Sequence, residues 1–178
     1  LVYIATVEFK CIFQEIWDFK LDFLSWKTSS LLNPRKTAGA RQIDDYPSPS
    51  IEIAMIQNGC IKPQTVVSEV TKHTEVPVWS TFSDVIFFRG TMNDLESQSL
   101  RLKLYDNNTL FKTLLSDKVV GLKGVLSSQR IKTDMLLVDS QTKDKYYTTV
   151  EGGINVEHQI KYKQLGESVV LYSKKRYL

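Results

Sequence analysis

Apolar and polar residues alternate with a period of two along much of this chain. Val7, Phe9, Cys11 and Phe13 interleave with Glu8, Lys10 and Ile12. After Gln14-Glu15 the rhythm resumes, with Trp17, Phe19, Leu21 and Phe23 set against Asp18, Lys20 and Asp22. Successive strand residues point to opposite faces, so this period predicts half-buried strands. A helix needs apolar residues three and four apart, and would scatter Asp18, Lys20 and Asp22 around its surface.

The same signal recurs downstream. Ile51, Ile53 and Met55 predict a strand, and Asn58-Gly59 after it predicts a hairpin turn, because both residues tolerate positive φ. The return strand is expected at 64–72, and a further strand at 80–88 after Pro77 and Trp79. Leu100, Leu102 and Leu104 alternate with Arg101 and Lys103. Asp106-Asn107-Asn108 predicts a turn, since short polar side chains bond to their own backbone. Residues 111–115 read as one helical turn. Val119, Val120, Leu122 and Val125 predict another strand, Met135 to Val138 a short one, and Tyr146 to Val150 a pairing partner. Ile154, Val156, His158 and Ile160 lead to a last strand ending at Tyr162. Eight or more short strands without a long helical run predict an all-β antiparallel sandwich.

Composition fits that picture. The chain has 178 residues, enough for one sizeable core. It is 42% hydrophobic, 11% aromatic and 24% charged, as expected of an ordinary globular chain. No apolar run reaches the roughly 18 residues of a membrane-spanning helix. The net charge of +3 is too mild to point to nucleic acid. Cys11 and Cys60 are too few for a disulfide framework, which predicts reduced thiols and a cytoplasmic setting. The chain begins at Leu1 without a signal-peptide pattern, and is expected to be a piece of a longer protein. No nucleophile elbow or phosphate-cradling glycine loop occurs, so no enzyme is expected. His158, in an apolar run, reads as a core or edge histidine.

Order and spacing of several elements resemble C2 domains. Trp17 to Trp26 resembles the first strand of that family, and Pro49-Ser-Ile-Glu-Ile the second. Val76-Pro77-Val78-Trp79 is similar to its Asn-Pro-x-Trp segment, with Val76 in place of Asn. Leu104-Tyr105-Asp106-Asn107-Asn108 resembles the strand that opens the third loop, Asp117 to Gly121 the closure of that loop, and Gly153 to Tyr162 the final strand. The resemblance spans residues 16–162. It implies an eight-stranded C2-like β-sandwich, here with an additional N-terminal strand at 1–15, a long loop insertion at 27–49 and a C-terminal extension or linker at 163–178.

The resemblance also implies a calcium site, and the chain departs from it. Calcium takes six to eight oxygen ligands, and C2 domains offer about five aspartates from two loops. Asp106, Asn108, Asp117 and Asp45 are the degenerate counterparts here, and Ser48 stands where an Asp would precede Pro49. The expectation is therefore a calcium-independent docking module with no cofactor, attaching a larger protein to other protein subunits or to an anionic membrane surface. The alternative is a calcium-dependent phospholipid-binding domain of a ferlin- or synaptotagmin-like membrane protein. Candidate lipid or partner contacts are Arg101 and Lys103 on one strand, Leu31 and Leu32 in the long insertion, and Lys174, Lys175 and Arg176 at the end. Each has an ordinary reading as well: the wet side of a strand, a solvated loop and a linker. The implied settings are cytoplasmic, the cytoplasmic face of a membrane, or a ciliary or cytoskeletal scaffold.

Overall fold

The computed structural model describes residues 2–32, 46–56, 64–107, 112–139 and 142–176, with side chains described only between 16 and 159. Its strands are β1 (Val2–Thr28), β2 (Pro49–Ile56), β3 (Thr65–Val67), β4 (Val78–Trp79), β5 (Ile86–Gly90), β6 (Ser99–Asp106), β7 (Thr113–Gly121), β8 (Arg130–Val138) and β9 (Lys145–Arg176). Two short helices, α1 (Met92–Glu96) and α2 (Val125–Ser128), lie between them. One sheet has the order β4-β1-β9-β8, with β5 also on β1; the other has the order β3-β2-β6-β7. Every described pairing is antiparallel. The expected all-β sandwich is the fold observed.

The alternating positions bury the core between the sheets. Phe19, Leu21 and Phe23 from β1 meet Ile51, Ile53 and Met55 from β2 and Leu100, Leu102 and Leu104 from β6, all nearly inaccessible to solvent. Each such side chain contributes roughly 1.5–3 kcal/mol on burial. Trp26 and Trp79 are register partners at one end of this layer. Their indole N–H groups donate to backbone carbonyls, Trp26 to Gly153 at 2.9 Å and Trp79 to Pro49 at 3.2 Å. Both large rings are thereby buried without an orphaned donor.

Irregularities re-aim the strands. In β1, Leu24 and Ser25 stand opposite a single β9 residue, between the pairs Phe23–Ile154 and Trp26–Gly152. This bulge moves the inward positions from odd to even numbers, so Trp26 faces the core and Leu24 is exposed.

Several expectations need correction. Gln14-Glu15 does not interrupt β1, because an extended backbone paired throughout with β9 accepts two consecutive polar residues. Thr113 to Leu115 belong to β7 and not to a helical turn, because they continue the ladder on β6; Phe111 lies outside the described residues. The 80–88 strand is replaced by the short β4 and β5 on the β1 edge. The 64–72 strand shrinks to β3 plus an isolated bridge from Ser68 to Phe82. Val125 sits in α2. Helix α1 fills the 90–98 connector through a capping box: Thr91 Oγ1 accepts from Asp94 N–H at 3.1 Å, and Asp94 Oδ2 accepts from Thr91 N–H at 2.8 Å. The Asn58-Gly59 turn lies outside the described residues, but β2 and β3 do pair as an antiparallel hairpin would.

Candidate docking surfaces

Strand direction sorts the loops. The connections β1–β2, β3–β4, β6–β7 and β8–β9 share one end of the sandwich. At that end Asp106 closes β6. Its Oδ1 accepts the backbone N–H of Ser48 at 2.9 Å, and the next residue, Asn107, donates through Nδ2 to Ser48 O at 2.9 Å and meets Ser50 Oγ at 3.0 Å. Asp106 and Asn107 thus hold down the segment entering β2. Asn108 and Asp45 lie outside the described residues.

Asp117 is elsewhere. It pairs opposite Lys103, whereas Asp106 pairs opposite Thr113. Three residues of β6 separate the two levels, about 10 Å along the strand. Asp117 is held by Arg101 in a two-pronged ion pair, with guanidinium Nε 3.0 Å from each carboxylate oxygen. Those hydrogen bonds, with the charges of Arg101 and Lys103, hold the Asp117 carboxyl below the usual carboxylate range, and the same contacts raise Arg101. Among the described residues no three His, Cys, Asp or Glu side chains come together as a metal-binding group.

Arg101 and Lys103 lie on the outer face of the β3-β2-β6-β7 sheet, as the alternation predicts. They are not free cations. Lys103 Nζ is 3.3 Å from Glu52 Oε1, and Lys112 Nζ is 3.8 Å from Glu52 Oε2 and 3.8 Å from the Tyr105 ring centroid. Three cations therefore share two carboxylates on this face. Sequence spacing did not reveal Glu52 and Lys112, because the partners come from three different strands or their margins.

The remaining candidates separate. Leu31 is buried: its N–H donates to Glu75 O at 2.7 Å, and its carbonyl accepts the Tyr146 hydroxyl at 2.9 Å. It is part of the core and no contact surface, which corrects its pairing with Leu32, whose residue is half-buried. Desolvation, then the nearby Asp139, raises the Tyr146 hydroxyl above the usual tyrosine range. Lys174, Lys175 and Arg176 pair with Ile4, Tyr3 and Val2 at the far tip of β9, opposite the loop end. The sequence candidates thus occupy three separate places.

His158 packs edge-on against Trp17, with ring centroids 5.0 Å apart, and is an edge histidine. It borders an open groove of about 390 Å³ with Asp18, Lys20 and Glu157. Asp18 there bonds Arg89 at 2.7 Å, and Glu157 lies 3.6 Å from Lys20. No described helix is long and apolar enough to cross a membrane.

No protein-family model and no curated protein matches the chain. Solved structures do resemble it. Human GIVD cytosolic phospholipase A2, in complex with an inhibitor and terbium chloride, aligns at 11% identity over 84% of this chain with a TM-score of 0.50. The chain spans 18% of the length of that phospholipase. The first of the C2 domains of plant extended synaptotagmin 1 aligns at 15% identity over 83% of this chain and 96% of its own length, with a TM-score of 0.43. BON1-C2B aligns at 13% identity over 82% and 93%, with a TM-score of 0.42. At these identities the likeness is one of fold, and the sandwich is C2-like.

Proposed function

We propose that this sandwich is a non-catalytic docking module that attaches a larger chain to a protein or membrane surface without calcium. The observation that carries the reading is the dispersal of the expected calcium carboxylates. Asp106 is tied to Ser48 at the loop end, while Asp117 lies within β7 and is engaged by Arg101. A divalent ion wants its oxygen ligands converging at about 2.3–2.6 Å. Bringing Asp117 into such a shell requires breaking its ion pair and moving it along the sheet. The C2-like fold supports the docking role, since it presents loops at one end and broad sheet faces on both sides.

Sedimentation with anionic vesicles tests this. Vesicles containing phosphatidylserine are incubated with the protein in EDTA and in millimolar calcium. The pelleted fraction is expected to be the same in both. Pelleting that appears only with calcium would overturn the proposal. Equal pelleting favours a membrane target, and no pelleting in either buffer favours a protein partner.

A further inference from the structure

Strands β1 and β9 run well past the sandwich. Fifteen consecutive pairs, from Val2–Arg176 to Ile16–Tyr162, form a two-stranded arm whose described pairings are with each other alone. At about 3.3 Å per residue the arm is roughly 50 Å long. An isolated two-stranded ribbon is marginal in water, and its outer edges offer unpaired backbone groups.

A register shift at the base of the arm sets its faces. Trp17 pairs with Ile160 but Ile16 pairs with Tyr162, so Lys161 is the extra residue. Below the bulge, odd positions of β1 pair with even positions of β9. Above it, odd pairs with odd. A one-residue slip exchanges the two faces of a strand. The slip therefore places Val7, Phe9 and Phe13 of β1 on the same face as Leu165, Val169 and Leu171 of β9. Without it, the apolar rows of the two strands would lie on opposite faces. Glu167, opposite Cys11, is the one charged residue in that stretch, while the other face carries Glu8, Lys10 and Ser168 beside Ile12 and Val170.

We infer that the arm is a self-association element, in which two copies of this chain pack arm on arm, apolar face to apolar face, about a two-fold axis. Area supports a second copy as the occupant. Two strands about 5 Å apart and 50 Å long present a face of roughly 500 Å². Two such faces bury about 1,000 Å² between them, the lower bound for a specific interface. Charge sets the direction. Lys174, Lys175 and Arg176 crowd the tip of each arm. Antiparallel packing carries each basic tip over the base of the other arm, whereas parallel packing would bring six cations together. The two-fold also closes the assembly as a dimer.

Sedimentation velocity on the 178-residue chain from about 1 to 100 μM tests the inference. A concentration-dependent dimer is expected. Phe9→Lys with Val169→Lys, two register partners on the apolar face, is expected to weaken the dimer by roughly 30-fold or more, as loss of a central interface anchor does. Lys10→Glu with Ser168→Lys, on the other face, is expected to leave it intact. Circular dichroism melting of each variant establishes that the sandwich still folds. A wild-type chain that stays monomeric at 100 μM overturns the inference. So does a series of oligomers larger than two, which would indicate edge-to-edge pairing, or equal weakening by both variant pairs. Should Phe9→Lys with Val169→Lys unfold, Phe9→Ser replaces it and the same outcomes apply.

Discussion

Replacing Gly152 by alanine should be among the most damaging single-methyl additions in the sandwich. Gly152 is buried on β9, paired with Trp26 on one side and Ile131 on the other. A Cβ built on its backbone would fall inside the Trp26 indole, far within contact distance of Cγ, Cδ1 and Cδ2. The ring has little room to retreat, since it is fully buried and packed on Phe23 and Phe82 with centroids 6.1 and 6.5 Å away. Overpacking of a filled core costs about 1–3 kcal/mol. Displacing the indole also breaks its hydrogen bond to Gly153 O, and a buried donor left unpaired costs a further 1–3 kcal/mol or so. The sum is about 2–6 kcal/mol. Urea unfolding followed by circular dichroism measures it. Trp26→Leu should itself destabilise, yet Gly152→Ala added to it should cost far less than alone, because the clashing ring is gone. The reasoning is refuted if Gly152→Ala costs under about 1 kcal/mol, or if its cost is the same in both backgrounds.

Three further outcomes follow from the geometry. Asp117→Asn releases Arg101 from its ion pair, so affinity for anionic vesicles at low salt should rise; unchanged binding would remove the outer sheet face from consideration. Thr91→Ala deletes the α1 cap and should cost about 1 kcal/mol in chemical unfolding, against no effect if the capping box is idle. Glu69, Asp94, Asp117 and Glu151 are all lowered, chiefly by hydrogen bonds from Ser80, Thr91, Arg101 and Lys27 respectively. Their folded values lie below the unfolded ones, so the folded state holds fewer protons. Their stabilisation is complete above about pH 5 and is lost as pH falls through the folded values. The melting temperature should therefore be flat near neutrality and drop below about pH 4; a melting temperature that rises on acidification would contradict this.

The strand-forming positions were legible because burial on one face writes a period of two directly into residue choice. Phe19, Leu21 and Phe23, and likewise Leu100, Leu102 and Leu104, are inward in the structure as their spacing predicts. What was hidden depends on tertiary partners. Whether a residue such as Val85 or Phe87 joins a strand depends on the β1 edge that receives it, and only β5 is received there. The inward shift at Trp26 depends on a bulge against β9. Local polar chemistry was also under-read: Thr91 and Asp94 three residues apart are a capping signal within a stretch otherwise read as connector.

The candidate site shows the same division. That Arg101 and Lys103 point outward follows from alternation alone. That they are neutralised by Asp117 and Glu52 follows from sheet order, which places β2 and β7 on either side of β6. Leu31 illustrates the converse. In sequence it sits among polar residues and reads as a loop contact, but the hydroxyl of Tyr146 and the carbonyl of Glu75 fix its backbone and draw its side chain into the core.

The most direct test of calcium-free docking is isothermal titration of the protein with calcium at low ionic strength. No saturable heat is expected, because Asp106 and Asp117 cannot converge on one ion while the β6–β7 ladder is intact. Saturable binding tighter than about 100 μM, within the range of sensor sites, and abolished by Asp106→Asn, would contradict the account.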